Sequence, residues 1–229
     1  AQMDERILDT IRGGLIVSCQ ALENEPLHSS YIMQRMAVAA MYGGAVGIRA
    51  NSVSDILEIR KEVKLPVIGI IKRVYDDSDV YITPSMKEVD ELMTVRPEII
   101  ALDATKRMRP GKRSLEDFFA EVRAKYPEQI FMADCSTLEE GLNAAKIGFD
   151  ILGTTLSGYT SYSKGSELPN MELIQQLVES GEKPVIAEGG IWTPEQLKHI
   201  LGTGVLAAVV GTAITRPMEI TKRFVNAIE

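Results

Sequence analysis

A chain of 229 residues, 45% hydrophobic, is long enough for one large α/β barrel or two small domains. Its formal net charge of −7 provides no basic field for a phosphate backbone, which argues against a nucleic-acid partner; the positive clusters at 106–113 and 222–223 are short and interrupted, as solvated faces are. No apolar run reaches the ~18 residues of a membrane helix and no charged-then-apolar signal opens the chain, while Cys19 and Cys135 have neither metal spacing nor a disulfide framework around them, so a reduced, cytoplasmic protein without membrane contact is expected.

Residues 1–12 read as a short amphipathic helix closing one end of the fold. Strand-like and helix-like segments then alternate. GLIVSCQ (14–20) is a strand, and residues 30–44 form a helix ended by a Gly pair. AVGIRA (45–50) is a strand, and a Ser52-x-x-Asp55 cap opens the helix over 52–63. PVIGIIK (66–72) is the third strand, followed by a polar loop and a helix from Ser85 to about Val95. Asp76, Asp77 and Asp79 in that loop lack the Gly and Glu spacing of a cation site and read as solvated.

EIIALDAT (98–105) and QIFMADCS (129–136) are strands, each followed by a helix, the second opened by a Thr137-x-x-Glu140 capping box. DILGTTL (150–156) leads into a long Gly/Ser/Tyr loop, a lid candidate, and a helix over about 170–179. KPVIAEGG (183–190) is the seventh strand. Thr193-Pro194-Glu195-Gln196 starts its helix with an N-cap, Pro at the first position and Gln at the third. VLAAVVGTA (205–213) is the eighth strand, and the last helix begins at Pro217.

Eight strand–helix units, each strand apolar enough to be buried on both faces, predict a parallel sheet closed into a single (β/α)8 TIM barrel over 1–229. The rival, an open doubly wound sheet, usually carries a Gly-rich turn after its first strand, where this chain has CQALENEP.

A barrel builds its active face at the C-terminal ends of its strands. The polar residues there are Gln20, Arg49, Lys72, Asp103, Asp134, Thr154 or Thr155, Glu188, and Gly211 with Thr212. Period two places Ser18, Ile70, Ala101 and Ile186 on the same faces as Gln20, Lys72, Asp103 and Glu188, and turns Cys19 and Cys135 toward the helices. Strands three and seven lie across the barrel from each other. Lys72 and Glu188 are therefore placed to exchange protons with opposite faces of one carbon, the arrangement of an epimerase or racemase. Arg49 on the adjacent strand would lower the Lys72 pKa. Gly189, Gly190, Gly211 and Thr212, with Arg216, read as a phosphate cradle. His28 is as consistent with an ordinary loop residue as with a sugar contact, and His199 reads as structural or solvated.

GLIVSCQA with PLHSS, GAVGIRA, PVIGIIKR, IIALDAT, MADCST, GTTLSGYT, VIAEGGI and GTAITRPMEITKRF together resemble the N-acylmannosamine-6-phosphate 2-epimerases. These are ribulose-phosphate-binding-type barrels of bacterial sialic acid catabolism. The resemblance runs from about Gly13 onward and falls in all eight units. It implies inversion at C2 of N-acetylmannosamine 6-phosphate, with no cofactor and no metal, by a homodimer. It assigns Lys72 and Glu188 as the catalytic pair. Gln20, Arg49 and Asp134 become substrate-holding and proton-assisting residues, with Asp134 contacting hydroxyls or tuning Lys72, and Gly189, Gly190, Gly211, Thr212 and Arg216 form the phosphate site; from their positions in the chain Thr155 and Tyr159 are further candidate substrate contacts. Three rival functions fit parts of this pattern: a Schiff-base phosphosugar aldolase using Lys72, a metal-dependent epimerase using Asp103, Asp134 and Glu188, and a non-catalytic phosphosugar-binding protein.

Overall fold

The computed structural model describes residues 4–229. Eight parallel strands close into a barrel in chain order: β1 (Leu15–Cys19), β2 (Gly47–Asn51), β3 (Val67–Ile70), β4 (Ile99–Asp103), β5 (Ile130–Asp134), β6 (Ile151–Gly153), β7 (Val185–Glu188) and β8 (Ala207–Val210), with β8 pairing back onto β1. Around them run α1 (Glu5–Ile11), α2 (Ser30–Tyr42), α3 (Val53–Arg60), α4 (Met86–Met93), α5 (Leu115–Lys125), α6 (Leu138–Ile147), α7 (Met171–Ser180), α8 (Pro194–Leu201), a short α9 (Thr212–Thr215) and α10 (Pro217–Asn226). This is the expected (β/α)8 TIM barrel. Only α9 has no counterpart in the sequence reading. The part of the expected N-terminal helix over residues 1–3 lies outside the described residues.

The alternation of side chains across each strand separates two apolar layers. Ile68 and Ile70, Ile99 and Ala101, and Ile130 and Met132 fill the barrel interior. Val67, Ile100, Leu102, Phe131 and Ala133 instead meet the helices, together with Cys19 and Cys135. Burial pushes the Cys19 thiol up to about 12 and Cys135 well above its ordinary value, so both stay protonated and inert. Leu8 and Ile11 of α1 pack into the interior layer and seal the lower end of the barrel. The Gly13 N–H then bonds the Leu206 carbonyl at 2.6 Å.

Several helix starts are fixed by the side chains expected to cap them. Thr193 and Gln196 form the reciprocal box of α8, and Ser85 with Glu88 forms another on α4. The box expected at Thr137 is only half made. Thr137 accepts from the Glu140 N–H at 3.2 Å, but the Glu140 carboxylate turns away to take the Ser136 N–H (2.8 Å), the Ser136 hydroxyl (2.5 Å), the Lys106 N–H (2.9 Å) and the Tyr162 hydroxyl. A buried carboxylate accepts the donors of three loops rather than one of its own helix.

The basic cluster at 106–113 is also not the solvated face expected of it. Arg109 is fully buried and donates to the carbonyls of Thr83, Pro84 and Asp103, with its guanidinium 4.1 Å from the Phe118 ring centre. Arg107 pairs with Asp103 at 2.7 Å. These contacts pin the loops above β3 and β4.

Candidate active site

The upper ends of the strands enclose a cavity of about 660 Å³. Eleven of the expected site residues line it: Gln20, Arg49, Lys72, Thr155, Tyr159, Glu188, Gly189, Gly190, Gly211, Thr212 and Arg216. Asp134 is not among the residues that line it.

Arg49 rises from the middle of β2 and reaches the opposite side of the barrel. Its Nη1 and Nη2 donate to the Asp134 carboxylate at 3.2 and 2.6 Å, and its Nε lies 3.6 Å from Glu188 Oε2. Asp134 is fully buried at the end of β5, and Thr155 Oγ1 donates to it at 2.7 Å. Burial alone would disfavour the guanidinium charge, but Asp134 and Glu188 outweigh it and raise the Arg49 pKa. Asp134 therefore stands behind Arg49 and holds it.

Glu188 ends β7, and the Thr154 hydroxyl brackets its backbone, accepting from the Glu188 N–H at 3.0 Å and donating to its carbonyl at 2.9 Å. The side chain is 15% exposed. Burial, opposed chiefly by Arg49 and reinforced by Asp134, pushes its carboxyl up to about 7. Lys72 stands just beyond β3, which lies four places from β7 around the ring of eight. The Lys72 N–H is held by Asn51 Oδ1 at 2.9 Å, and the segment doubles back so that Lys72 bridges Ile82. Its ammonium has no ion-pair partner among the described residues. Burial first, then Arg49, lowers its pKa from the ordinary lysine value. The acid and the amine are thus pushed toward each other in proton affinity, on opposite walls of one cavity.

Three buried polar atoms at this mouth have no hydrogen-bond partner among the described residues: Gln20 Oε1, Arg49 Nε and Glu188 Oε1. Gln20 is oriented by donating to Ser18 Oγ at 2.8 Å. On the β7–β8 side, Gly189 and Gly190 take φ of +109° and +74°, conformations that favour glycine. A Cβ on Gly190 would come within 2.4 Å of the Leu168 side chain, so the close approach of the backbone there needs glycine twice over. Gly211 turns β8 into α9, whose first N–H groups have no intrahelical acceptor. Thr215 Oγ1 stitches α9 to the end of β1 by donating to the Ser18 carbonyl at 2.6 Å.

Three wall residues fall outside the sequence reading. Glu25, from the loop after β1, pairs with Arg216. Tyr81 is brought in by the doubled-back loop after β3, and burial raises its pKa so that it keeps its proton. Trp192 lines the rim, with the Arg223 guanidinium 4.3 Å from its ring centre. As the single Trp of the chain, directly after the Gly pair and Ile191, it was the most findable of the three.

Other candidates fall away from the cavity. Asp103 is buried and takes Thr105 and Arg107, so the three carboxylates of the metal-dependent reading do not gather at one point. His28 bonds the Ala21 carbonyl through Nδ1, and His199 is exposed on α8. The loop after β6 is tied down by Thr160 and Ser163 and by Asn170 bonding Ser157, with Tyr159 at the rim and 59% exposed.

A model of the N-acetylmannosamine-6-phosphate epimerase family matches residues 33–229. A relative from Clostridium perfringens, named as an N-acetylmannosamine-6-phosphate 2-epimerase, is 58% identical over 223 residues, covering 97% of this chain and all of the relative. The solved structure of the N-acetylmannosamine-6-phosphate 2-epimerase from Clostridium perfringens superposes with a TM-score of 0.92 at 56% identity, over 99% of this chain and 98% of that one. A thiamine phosphate pyrophosphorylase from Pyrococcus furiosus, 21% identical with a TM-score of 0.61 over 91% of this chain and 89% of its own, shares the fold.

The Asp134 contact yields a stability test. Asp134→Ala leaves the buried Arg49 charge without its bidentate partner, and a loss of about 3 kcal/mol in unfolding free energy is expected by chemical denaturation. A loss under ~1 kcal/mol would show that Glu188 alone compensates Arg49.

Proposed function

The chain belongs to the N-acetylmannosamine-6-phosphate epimerase family, and on that premise we propose that it converts N-acetylmannosamine 6-phosphate to N-acetylglucosamine 6-phosphate by deprotonation and reprotonation at C2. The observation that supports this reading is that Lys72 and Glu188, from strands four places apart in the ring, line one cavity, with the Arg49 guanidinium beside Glu188 and Gly-rich strand ends nearby.

The chemistry follows from the sugar. In the open chain C2 lies α to the C1 aldehyde, so its proton becomes acidic once the carbonyl oxygen is polarised. Arg49, charged and with no hydrogen bond made by its Nε, is suited to the developing enolate oxygen, and Gln20 to a neighbouring oxygen. Lys72 serves one face of C2 and Glu188 the other. A carboxyl near pH 7 and an amine below its ordinary range can each give or take a proton at neutral pH, which general acid–base catalysis requires. Thr155 and Tyr159 contact the sugar. The phosphate rests on the N–H groups of Gly189, Gly190, Gly211 and Thr212 and on Arg216. Asp134 acts indirectly, by fixing Arg49.

The enzyme works as a homodimer paired through α10. No residue of α10 is buried, and Met218, Phe224 and Val225 on it, with Ile214 before and Ile228 after, are all exposed, Phe224 by 74%. An apolar surface of this kind on an otherwise packed barrel marks an association site.

The decisive experiment is a proton NMR time course of N-acetylmannosamine 6-phosphate in D2O. The expected outcome is growth of the gluco epimer carrying deuterium at C2. Lys72→Ala and Glu188→Gln should each lower turnover roughly 10²–10⁴-fold while inorganic phosphate still inhibits. Wild-type protein that leaves the C2 proton in place would end the proposal.

The pH dependence has a definite sign. The pair must hold one proton between its two members, so kcat/KM should rise as pH climbs through about 7 and Glu188 ionises, then fall as Lys72 deprotonates below its ordinary lysine value. Arg49→Met removes a charge that lowers both groups, so both limbs should move to higher pH; an unmoved profile would place the titrating groups elsewhere.

For assembly, analytical ultracentrifugation should give a dimer for the wild type and a monomer for Phe224→Asp. Monomeric wild type would remove the dimer proposal without touching the chemistry.

A further inference from the structure

Two of the arginine–carboxylate pairs at the mouth differ in which partner faces the cavity, although Arg49 also lies 3.6 Å from Glu188 and Arg216 3.8 Å from Glu219. Asp134 grips Arg49 from behind: it is fully buried, off the cavity wall, and holds the Nη1/Nη2 end while Arg49 Nε lies beside Glu188 without a hydrogen bond. Glu25 stands the other way round with Arg216. Both line the wall, and Glu25 Oε1 takes Arg216 Nε at 2.9 Å and Nη2 at 2.8 Å. That Nε/Nη2 edge is the side-on face with which a guanidinium grips an oxyanion. What is left of Arg216 reaches Thr212 Oγ1 at only 3.5 Å. Glu25 Oε2 accepts the Leu22 N–H at 2.6 Å, which anchors the carboxylate to the loop after β1. Burial pushes the Glu25 carboxyl up, but the Leu22 N–H and Arg216 outweigh it and hold it below its ordinary value, so it is an anion at neutral pH.

We propose that Glu25 is a displaceable counter-anion, occupying in the free enzyme the edge of Arg216 that the substrate's phosphate takes on binding. This rests on the phosphate site assigned above. The exchange favours the phosphate, which brings nearly two charges and three acceptor oxygens against one carboxylate. The cost of breaking the Glu25–Arg216 pair is nonetheless subtracted from the affinity of every phosphorylated ligand. The phosphate is remote from C2 and identical in the two epimers. The subtraction therefore falls equally on substrate, transition state and product, which is uniform binding. Glu25 raises both KM values together and speeds release of a product that shares every phosphate contact with the substrate.

Glu25→Gln tests this. It preserves the shape and an oxygen for the Leu22 N–H while removing the charge. The KM of each epimer and the competitive inhibition constant of inorganic phosphate should all fall by one common factor, about fivefold. In an Arg216→Gln background the same substitution should change none of them, because Glu25 acts through Arg216. Weaker phosphate binding in Glu25→Gln would overturn the inference and make Glu25 an orienting partner of Arg216. Unchanged constants would overturn it as well, and so would unequal factors for the two epimers, which would place Glu25 at the reacting end of the sugar. Wild-type enzyme that turns over the sugar phosphate without inhibition by inorganic phosphate would overturn the phosphate site itself, and the counter-anion with it.

Discussion

The mouth of this barrel depends on a single long side chain crossing its centre. Arg49 leaves β2 and is gripped by Asp134 of β5, with Glu188 of β7 close by. A guanidinium that deep is tolerable only because two carboxylates face it, and the carboxylates are tolerable only because it is there. Thr155 completes the hydrogen bonding of Asp134, leaving the grip no slack. The same positive charge opposes the upward push on the Glu188 carboxyl and deepens the depression of Lys72. One residue thus couples three strands and adjusts the proton affinities of both Glu188 and Lys72.

The barrel below supplies what that arrangement needs, namely a dry floor. Ile70, Ala101 and Ile186 lie in the fully buried interior layer directly beneath the polar ends of their strands, and Leu8 and Ile11 close the far end against water. Desolvation is the largest influence on Lys72 and Glu188, and it acts in opposite directions on an amine and a carboxyl. The apolar core therefore takes part in the chemistry through the proton affinities it imposes. Above the floor, Glu140 and Arg109 gather the loops by accepting or donating several backbone hydrogen bonds each, which gives the cavity wall a fixed shape.

Much of this was legible before any coordinates. Period two along the strands points Gln20, Lys72 and Glu188 to the inner face, and these residues, at or within two positions of a strand end, line the cavity together with Arg49 of β2. Asp134 shows where the rule stops: alternation gives the face, not the depth, and a carboxylate on the cavity wall has the same sequence signature as one beneath an arginine. Glu25, Tyr81 and Arg223 come from a loop, a doubled-back segment and a terminal helix, whose paths are set by tertiary contacts rather than by periodicity. Glu140 failed as a capping-box residue for a related reason, since donors brought by other loops outcompeted the local one. The charge run at 106–113 misled because burial of Arg109 depends on carbonyls from distant strands.

The stitching of α9 to β1 has a consequence for how the protein comes into being. The Thr215 hydroxyl bonds Ser18, and Arg216 bonds Glu25, across separations of 197 and 191 residues, and β8 must pair with β1 before the ring exists. A chain growing from its N-terminus makes its early strand–helix units long before these partners emerge. Until then β1 is an open edge and Glu25 has no Arg216 to pair with. Closure of the sheet and completion of the cavity mouth are therefore one late event.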